Sequence, residues 1–344
     1  MTWIPLLLAD PSPCLRWRVL TDLLHRPPDD PEVRELDALR PSDPLVVDLM
    51  KLQQADGSWK NVDLSGIATV SPLQATAQAL LRLGYLGFDS GFPAVSQGAE
   101  YLFTHQNADG SWPLPGGWKD SEAREGYSMI PLQTSLPLRG LAACGLSTDP
   151  RSERAYEWLM AQRLPDGAWP TGWASGVHGY VAGYRRLAHS RWGCRSNTTG
   201  ALSCLALHPQ RRTSPEAHRA LDLLLGRETR EESGLGFEVA RLLGAERTQG
   251  FFTYFARFDL AQMIDLCWRI GASQEDRRVE GMVEFVRSLQ GKYGLWEYSS
   301  RPQVNRWLTY DLLRSLSGLD GRSEWLSFEP STPFKAYMKK TKRF

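Results

Sequence analysis

The chain has 344 residues, 42% of them apolar and 23% charged, with a formal net charge of +1. That is enough apolar material for a substantial core, and so even a charge balance excludes the basic face that phosphate backbones require, so nucleic acid is not an expected partner. Five cysteines (Cys14, Cys144, Cys194, Cys204, Cys267), odd in number and without C-x-x-C spacing, argue against a disulfide framework and for reduced thiols in the cytoplasm.

The N-terminal stretch "MTWIPLLLADPSPCLRWRVL" carries a short apolar run closed by Asp10. It is too short for a signal or a membrane span, and no later stretch approaches spanning length, so the expectation is a soluble protein, at most peripheral to a membrane. "PCLRWRVLTDLLH" predicts a first helix. From about residue 45 the chain becomes repetitive. "QADGSW" at 54–59 is followed by "NADGSW" at 107–112, "LPDGAW" at 164–169 and "GKYGLW" at 291–296. Trp59, Trp112 and Trp169 are 53 and 57 residues apart; Phe237 in "ESGLGFE" stands 68 after Trp169 and 59 before Trp296, where it can replace the tryptophan of a fourth unit.

Before each marker runs a helical pattern that ends near a glutamine, as in "AEYLFTHQ" to Gln106, "AYEWLMAQ" to Gln162 and "MVEFVRSLQ" to Gln290. After each comes a second helix, apolar nearly all round and rich in small residues: "SPLQATAQALLRLG", "MIPLQTSLPLRGLAACG", "TTGALSCLAL", "FDLAQMIDLCWRIG", "NRWLTYDLLRSLSGL". A helix apolar on every side is buried on every side. One amphipathic and one buried helix per unit predicts a double ring, an all-α (α/α)6 toroid. An open solenoid would show polar capping helices, and the last helix is not polar. The expected organisation is one domain over 1–344, with helices in 1–44 closing the ring, repeats over about 45–320 and a tail at 321–344.

Helix, Gln, Asp-Gly, small residue, Trp resembles the QW repeat of squalene and terpenoid cyclases, shared more loosely with the β-subunits of protein prenyltransferases, and most like small stand-alone bacterial QW-repeat proteins. In this pattern Asp-Gly makes the turn, and the Trp and preceding Gln join consecutive helices, stacking ring on amide. Those residues are structural.

The resemblance implies a cavity lined by the inner helices. Gln74 follows Trp59 by 15 residues and Asp311 follows Trp296 by 15; Gln133 follows Trp112 by 21 and Asp259 follows Phe237 by 22. The third unit offers Asn197 or Thr198. Aligned so, Gln74, Gln133, Asn197, Asp259 and Asp311 form one polar level near the starts of the inner helices; the alternative is that such residues simply favour helix N-terminal turns. Two acids in an apolar bowl would have raised pKa values, and a neutral carboxyl can protonate an alkene or epoxide. Tyr254, Phe255, Phe258, Trp268, Trp307 and Tyr310 would offer ring faces to a cation.

Neither D-x-D-D nor D-D-x-x-D occurs, so Asp259 or Asp311 would act alone. "DLCW" at 265–268 resembles the zinc segment of protein prenyltransferases, but a third ligand is missing where it should stand. No metal and no cofactor are expected. The segment 173–197 interrupts the third unit; His178, Tyr180, Tyr184, Arg185, Arg186, His189, Arg191 and Arg195 would form a lid or cradle an anionic head group, or else a solvated basic loop. The leading expectation is an enzyme that binds an apolar, isoprenoid-type ligand in the central bowl and cyclises or isomerises it by acid. The alternatives are a non-catalytic binding or scaffold protein on the same toroid, and a glycan-acting (α/α)6 enzyme using Asp259 and Asp311 as its carboxyl pair.

Overall fold

The structure, a computed structural model, describes residues 3–60, 71–113, 130–172, 181, 186–226, 234–246, 258–298 and 301–319. Tyr254, Phe255, His178, Tyr180, Tyr184, Arg185 and the tail 321–344 lie outside them. The regular structure among the described residues is helical: α1 (Trp3–Leu8), α2 (Pro13–Arg18), α3 (Pro31–Leu39), α4 (Pro44–Met50), α5 (Pro72–Tyr85), α6 (Pro93–Thr104), α7 (Ile130–Ala143), α8 (Pro150–Ala161), α9 (Arg195–Leu205), α10 (Pro215–Leu225), α11 (Phe237–Leu242), α12 (Leu260–Ile270), α13 (Arg277–Ser288) and α14 (Pro302–Leu319). None is long and apolar enough to cross a membrane.

Many helices start the same way. Asp30, Asp43, Ser71, Asp149 and Ser214 each stand just before a proline, and each side chain accepts a backbone N–H of the first turn. A capping oxygen satisfies an N–H that the helix cannot, and proline at the first position removes another donor while presetting φ.

The inner ring is built from α5, α7, α9, α12 and α14, with α6, α8, α10 and α13 packed outside them. All of α9 is buried, from Arg195 to Leu205, and nearly all of α5 and α7. Their small residues let the backbones close up. A Cβ added to Gly84 would lie 2.5 Å from the Ala143 carbonyl oxygen, and one on Gly140 would lie 2.6 Å from that of Ala77, so α5 and α7 could not pack this tightly around larger side chains.

Each tryptophan marker joins three segments. The indole Nε1 of Trp59, Trp112, Trp169 and Trp296 donates to the carbonyl ten residues earlier (Leu49, Leu102, Leu159, Val286) at 2.7–2.9 Å, tying the turn to the helix before it. Their backbone N–H groups donate to a threonine hydroxyl on the following inner helix, Thr76, Thr134, Thr198 and Thr309. The glutamines act beside them: Gln53 and Gln106 donate to the carbonyl of the turn glycine and to the first turn of the next outer helix, at Ala94 and Arg151. The four rings are buried.

The fourth unit departs from this scheme. Phe237 has no ring N–H to give, and it opens α11, entered through Gly236 at φ +84°. α11 does not lie in the wall of the ring but inside it. Arg139 of α7 pairs with Glu238 at 2.7 Å, Arg82 of α5 donates to the Arg241 carbonyl, and Leu308 of α14 packs against Gly236. The ring closes through α14, where Arg306 pairs with Asp10, the Tyr310 hydroxyl donates to Asp22, and the Trp307 and Tyr85 rings meet at 5.4 Å.

Candidate functional site

Of the polar level expected from the repeat spacing, Gln74, Asn197 and Asp259 are spent on helix starts. Gln74 forms a capping box with Ser71. The Asn197 side-chain oxygen accepts the Leu132 N–H at 2.7 Å, and so ties α9 to the first turn of α7. Gln133 is buried with both amide atoms unpartnered. Asp259 precedes α12, and its two oxygens accept backbone N–H groups from Gly236 (2.8 Å), Glu238 (2.6 Å) and Ala261 (3.1 Å). It therefore caps α11 and α12 at once. Burial pushes its carboxyl up to about 6 against the pull of those N–H groups.

Asp311 is elsewhere. It is the tenth residue of α14, on the order of 13 Å along the axis from the helix start at 1.5 Å per residue. Asp259 and Asp311 thus do not form a pair on one level. The carboxyl beside Asp311 is Asp265, and Arg314 lies between them, donating to Asp311 at 2.8 Å and to Asp265 at 3.0 Å.

These two acids line a cavity of about 210 Å³ at the end of the ring formed by the C-terminal halves of α5, α7 and α9 together with α11, α12 and α14. Its charged wall consists of Arg18, Arg139, Arg269, Arg314, Glu238, Asp265 and Asp311, and its apolar wall includes Leu81, Leu242 and Leu266. Most of the charges are paired. Glu238 is held by Arg139 and Arg241, which outweigh its burial and bring its carboxyl down to about 2. Asp265 is half-buried, and Arg269 and Arg314 hold it below the ordinary carboxylate range against that burial. Asp311 differs: burial and the neighbouring Asp265 charge raise it to about 6 against Arg314. One Asp311 oxygen is bonded to Arg314, the other accepts no hydrogen bond, and the residue lines the cavity.

The expected aromatic lining is occupied by protein groups. Arg314 sits over the rings of Trp268 (5.4 Å) and Tyr310 (5.3 Å), and Arg269 over Trp268 (4.9 Å). Trp307 packs edge-on against Tyr310 and beside Tyr85. These faces already hold a cation, the guanidinium. Phe258 is buried next to Asp259. Of the interrupting segment, Arg191 stacks over exposed Trp192, Arg195 is buried at the head of α9, and His189 bonds the Gly226 carbonyl; none lines the cavity. Cys267 is buried with its thiol pushed up, and Asp265 is engaged by two arginines, so neither is disposed as a zinc ligand. No group of three His, Cys, Asp or Glu that could hold a metal occurs among the described residues.

Sequence reasoning missed Arg269, Arg314, Glu238 and Arg139, and singled out Asp265 only within the zinc-like segment. A signal existed for part of this set. Asp265 and Arg269 stand four apart, as do Tyr310 and Arg314, so each pair falls on one helix face.

Residues 40–184 match the squalene-hopene cyclase C-terminal domain family. The chain is 28% identical over 149 residues to squalene–hopene cyclase of Zymomonas mobilis, a stretch covering 42% of this chain and 21% of that one. It thus matches about a fifth of the length of that curated relative, and Asp259, Asp265 and Asp311 lie outside the family match. Among solved structures, a protein from Actinoplanes aligns over 93% of this chain and 90% of its own at 18% identity, TM-score 0.44. The type II terpene cyclase MstE from Scytonema aligns over 79% and 94% at 14% identity, TM-score 0.34. With its tryptophan-marked helix pairs and the family match over its first repeats, the chain is terpenoid-cyclase-like at the level of the superfamily.

Proposed function

We propose that the chain is a cyclase-like protein that binds a small molecule in the cavity between Arg314, Asp265 and α11, and that it exchanges a proton with that molecule through Asp311, as an acid-initiated isomerisation requires. One observation carries this reading: Asp311 is the one cavity carboxyl whose pKa is raised, and it keeps an oxygen unbonded at the cavity wall. A carboxyl that titrates near 6 can be loaded and unloaded close to neutral pH. Cyclisation of a long isoprenoid is not favoured. α11 fills the centre of the ring, and about 210 Å³ lies below the roughly 300–1,000 Å³ of sites for drug-sized ligands. The glycan reading needs two carboxyls facing across a sugar, whereas Asp265 and Asp311 meet across one guanidinium. A non-catalytic binding role is the second reading, favoured by the neutralisation of Glu238 and Asp265 in ion pairs.

Carboxyl-carbon NMR titration of the wild type and Asp311→Asn tests the proton. Two midpoints near 6 are expected in the wild type, those of Asp259 and Asp311, and the variant should lose one of them. With the folded pKa above the ordinary 3.8, the native state binds more protons than the unfolded state between about 4 and 6, so Asp311 lowers stability as pH rises through that window. Asp311→Asn should therefore gain at most about 3 kcal/mol relative to wild type above pH 6, at roughly 1.4 kcal/mol per unit. A midpoint near 4 would leave only the binding reading. Incubation with squalene or with geranylgeranyl dihydroxybenzoate, the substrate present in a structure of the Scytonema enzyme, should yield no cyclised product.

A further inference from the structure

We propose, on the reading that the cavity is a ligand site, that its ligand is a short aliphatic monocarboxylate, with its anionic head on Arg269 and its chain against Leu81, Leu242 and Leu266. The cavity wall carries four guanidinium groups against three carboxyls, an excess of one positive charge. Including the ion-pair partners behind the wall, Arg241 for Glu238 and Asp22 for Arg18, leaves the same excess. An uncompensated charge in a poorly solvated space is costly, and one bound negative charge offsets it.

The excess has an address. Arg18 donates to the Gly84 and Tyr85 carbonyls and to Asp22, while Arg314 bonds Asp265, Asp311 and the Tyr310 hydroxyl. Arg269 instead spends only its Nε on Asp265 and leaves both terminal nitrogens unpartnered. Two parallel N–H groups on one guanidinium are the donor pair that a carboxylate takes in two-pronged fashion. The leucines of the same wall favour hydrocarbon over a further polar group, and the volume limits the chain to a short one.

The site also couples anion to proton. Asp311 is faced by Asp265 and Arg269 from α12, by Arg314 and Tyr310 on its own helix, by Tyr85 of α5, and by Arg18 of α2. Arg139 and Glu238 complete the wall from α7 and α11, and the charge of Asp259 reaches it more weakly. A second anion in this group raises the proton affinity of Asp311, so carboxylate binding takes up a proton and strengthens as pH falls through about 6.

The test uses the full chain and three probes of one shape: 3-methylbutanoate, 3-methylbutan-1-ol and 3-methylbutylamine, compared by calorimetry and thermal shift. Only the carboxylate is expected to bind, and Arg269→Gln is expected to weaken it on the order of tenfold to a hundredfold, the range for a lost charge-assisted bond. Arg269→Lys, which keeps the charge but loses the paired donors, should fall between and serves if the glutamine variant does not fold. Equal binding of the alcohol, unchanged binding in both variants, or no binding of any probe overturns the proposal. Calorimetry in two buffers of different ionisation enthalpy separates it from the proton reading. Carboxylate binding without proton uptake and unaltered in Asp311→Asn removes the proton transfer and leaves the anion site. A midpoint near 6 that disappears in Asp311→Asn, with no carboxylate binding, does the reverse.

Discussion

Replacing Asp259 decides between two uses of a buried carboxyl. Its oxygens accept three backbone N–H groups, two from the start of α11 and one from the start of α12, and the residue is 3% exposed. In Asp259→Asn the amide keeps one accepting oxygen but turns an NH2 toward N–H donors. The cost is one charge-assisted bond and at least one stranded donor, together about 2–4 kcal/mol. Above pH 6 it is offset by up to about 3 kcal/mol, because the buried charge, whose burial holds the carboxyl up at about 6, is removed. Asp259→Ala gains the same relief but strands all three N–H groups, and should fall below both the wild type and Asp259→Asn. Urea unfolding followed by far-UV circular dichroism measures this as a lower midpoint at an unchanged slope, since the surface exposed on unfolding stays the same. Were Asp259 instead an acid free in a bowl, the alanine variant too would unfold at the wild-type midpoint or above it, because a buried charge has been removed and no N–H stranded. A wild-type midpoint for Asp259→Ala would refute the capping role and return this residue to the list of acids.

Two further outcomes follow from the fold. Trp169→Phe keeps most of the buried ring but leaves the Leu159 carbonyl without its 2.7 Å donor, and should lower stability by about 1–3 kcal/mol in the same measurement; an unchanged midpoint would mean that the indole N–H does not hold the repeat together. All five cysteines are buried, with the thiols of Cys14, Cys144, Cys204 and Cys267 pushed up, to about 12 for Cys144. The native protein should therefore react with a thiol reagent only slowly at pH 8, and all five should react once it is unfolded in urea; rapid native labelling would contradict this packing.

The helix pairs were legible because burial leaves a mark on every residue of a helix, and the tryptophans count the turns between them. The threonines that receive the tryptophan N–H groups were not, since Thr76, Thr134, Thr198 and Thr309 follow their tryptophans by 17, 22, 29 and 13 residues and no fixed spacing betrays them. The same variation misplaced the acids. Gln74 and Asp311 both stand 15 residues after a tryptophan, but α5 begins at Pro72 and α14 already at Pro302, so the same count gives the third residue of one helix and the tenth of the other. Asp259 was visible as a buried acid near a helix start; that it caps two helices depends on α11, whose inward position follows from contacts distant in sequence. Ion pairs such as Arg139 with Glu238, 99 residues apart, leave no local pattern to read.

The closure of the ring through α14 bears on how the chain comes apart. The tryptophan joints are local, ten residues to the preceding carbonyl, and can form as each helix pair appears. Arg306 to Asp10 spans 296 residues and Tyr310 to Asp22 spans 288. Closing a loop that long costs only a little more entropy than closing one half its length, because the cost grows as a logarithm. An open stack of repeats frays from both ends, each terminal unit having one neighbour. Here the first and last of the described helices are neighbours, so neither can peel away without breaking the contacts of the other, and the two ends of the described ring melt as one unit.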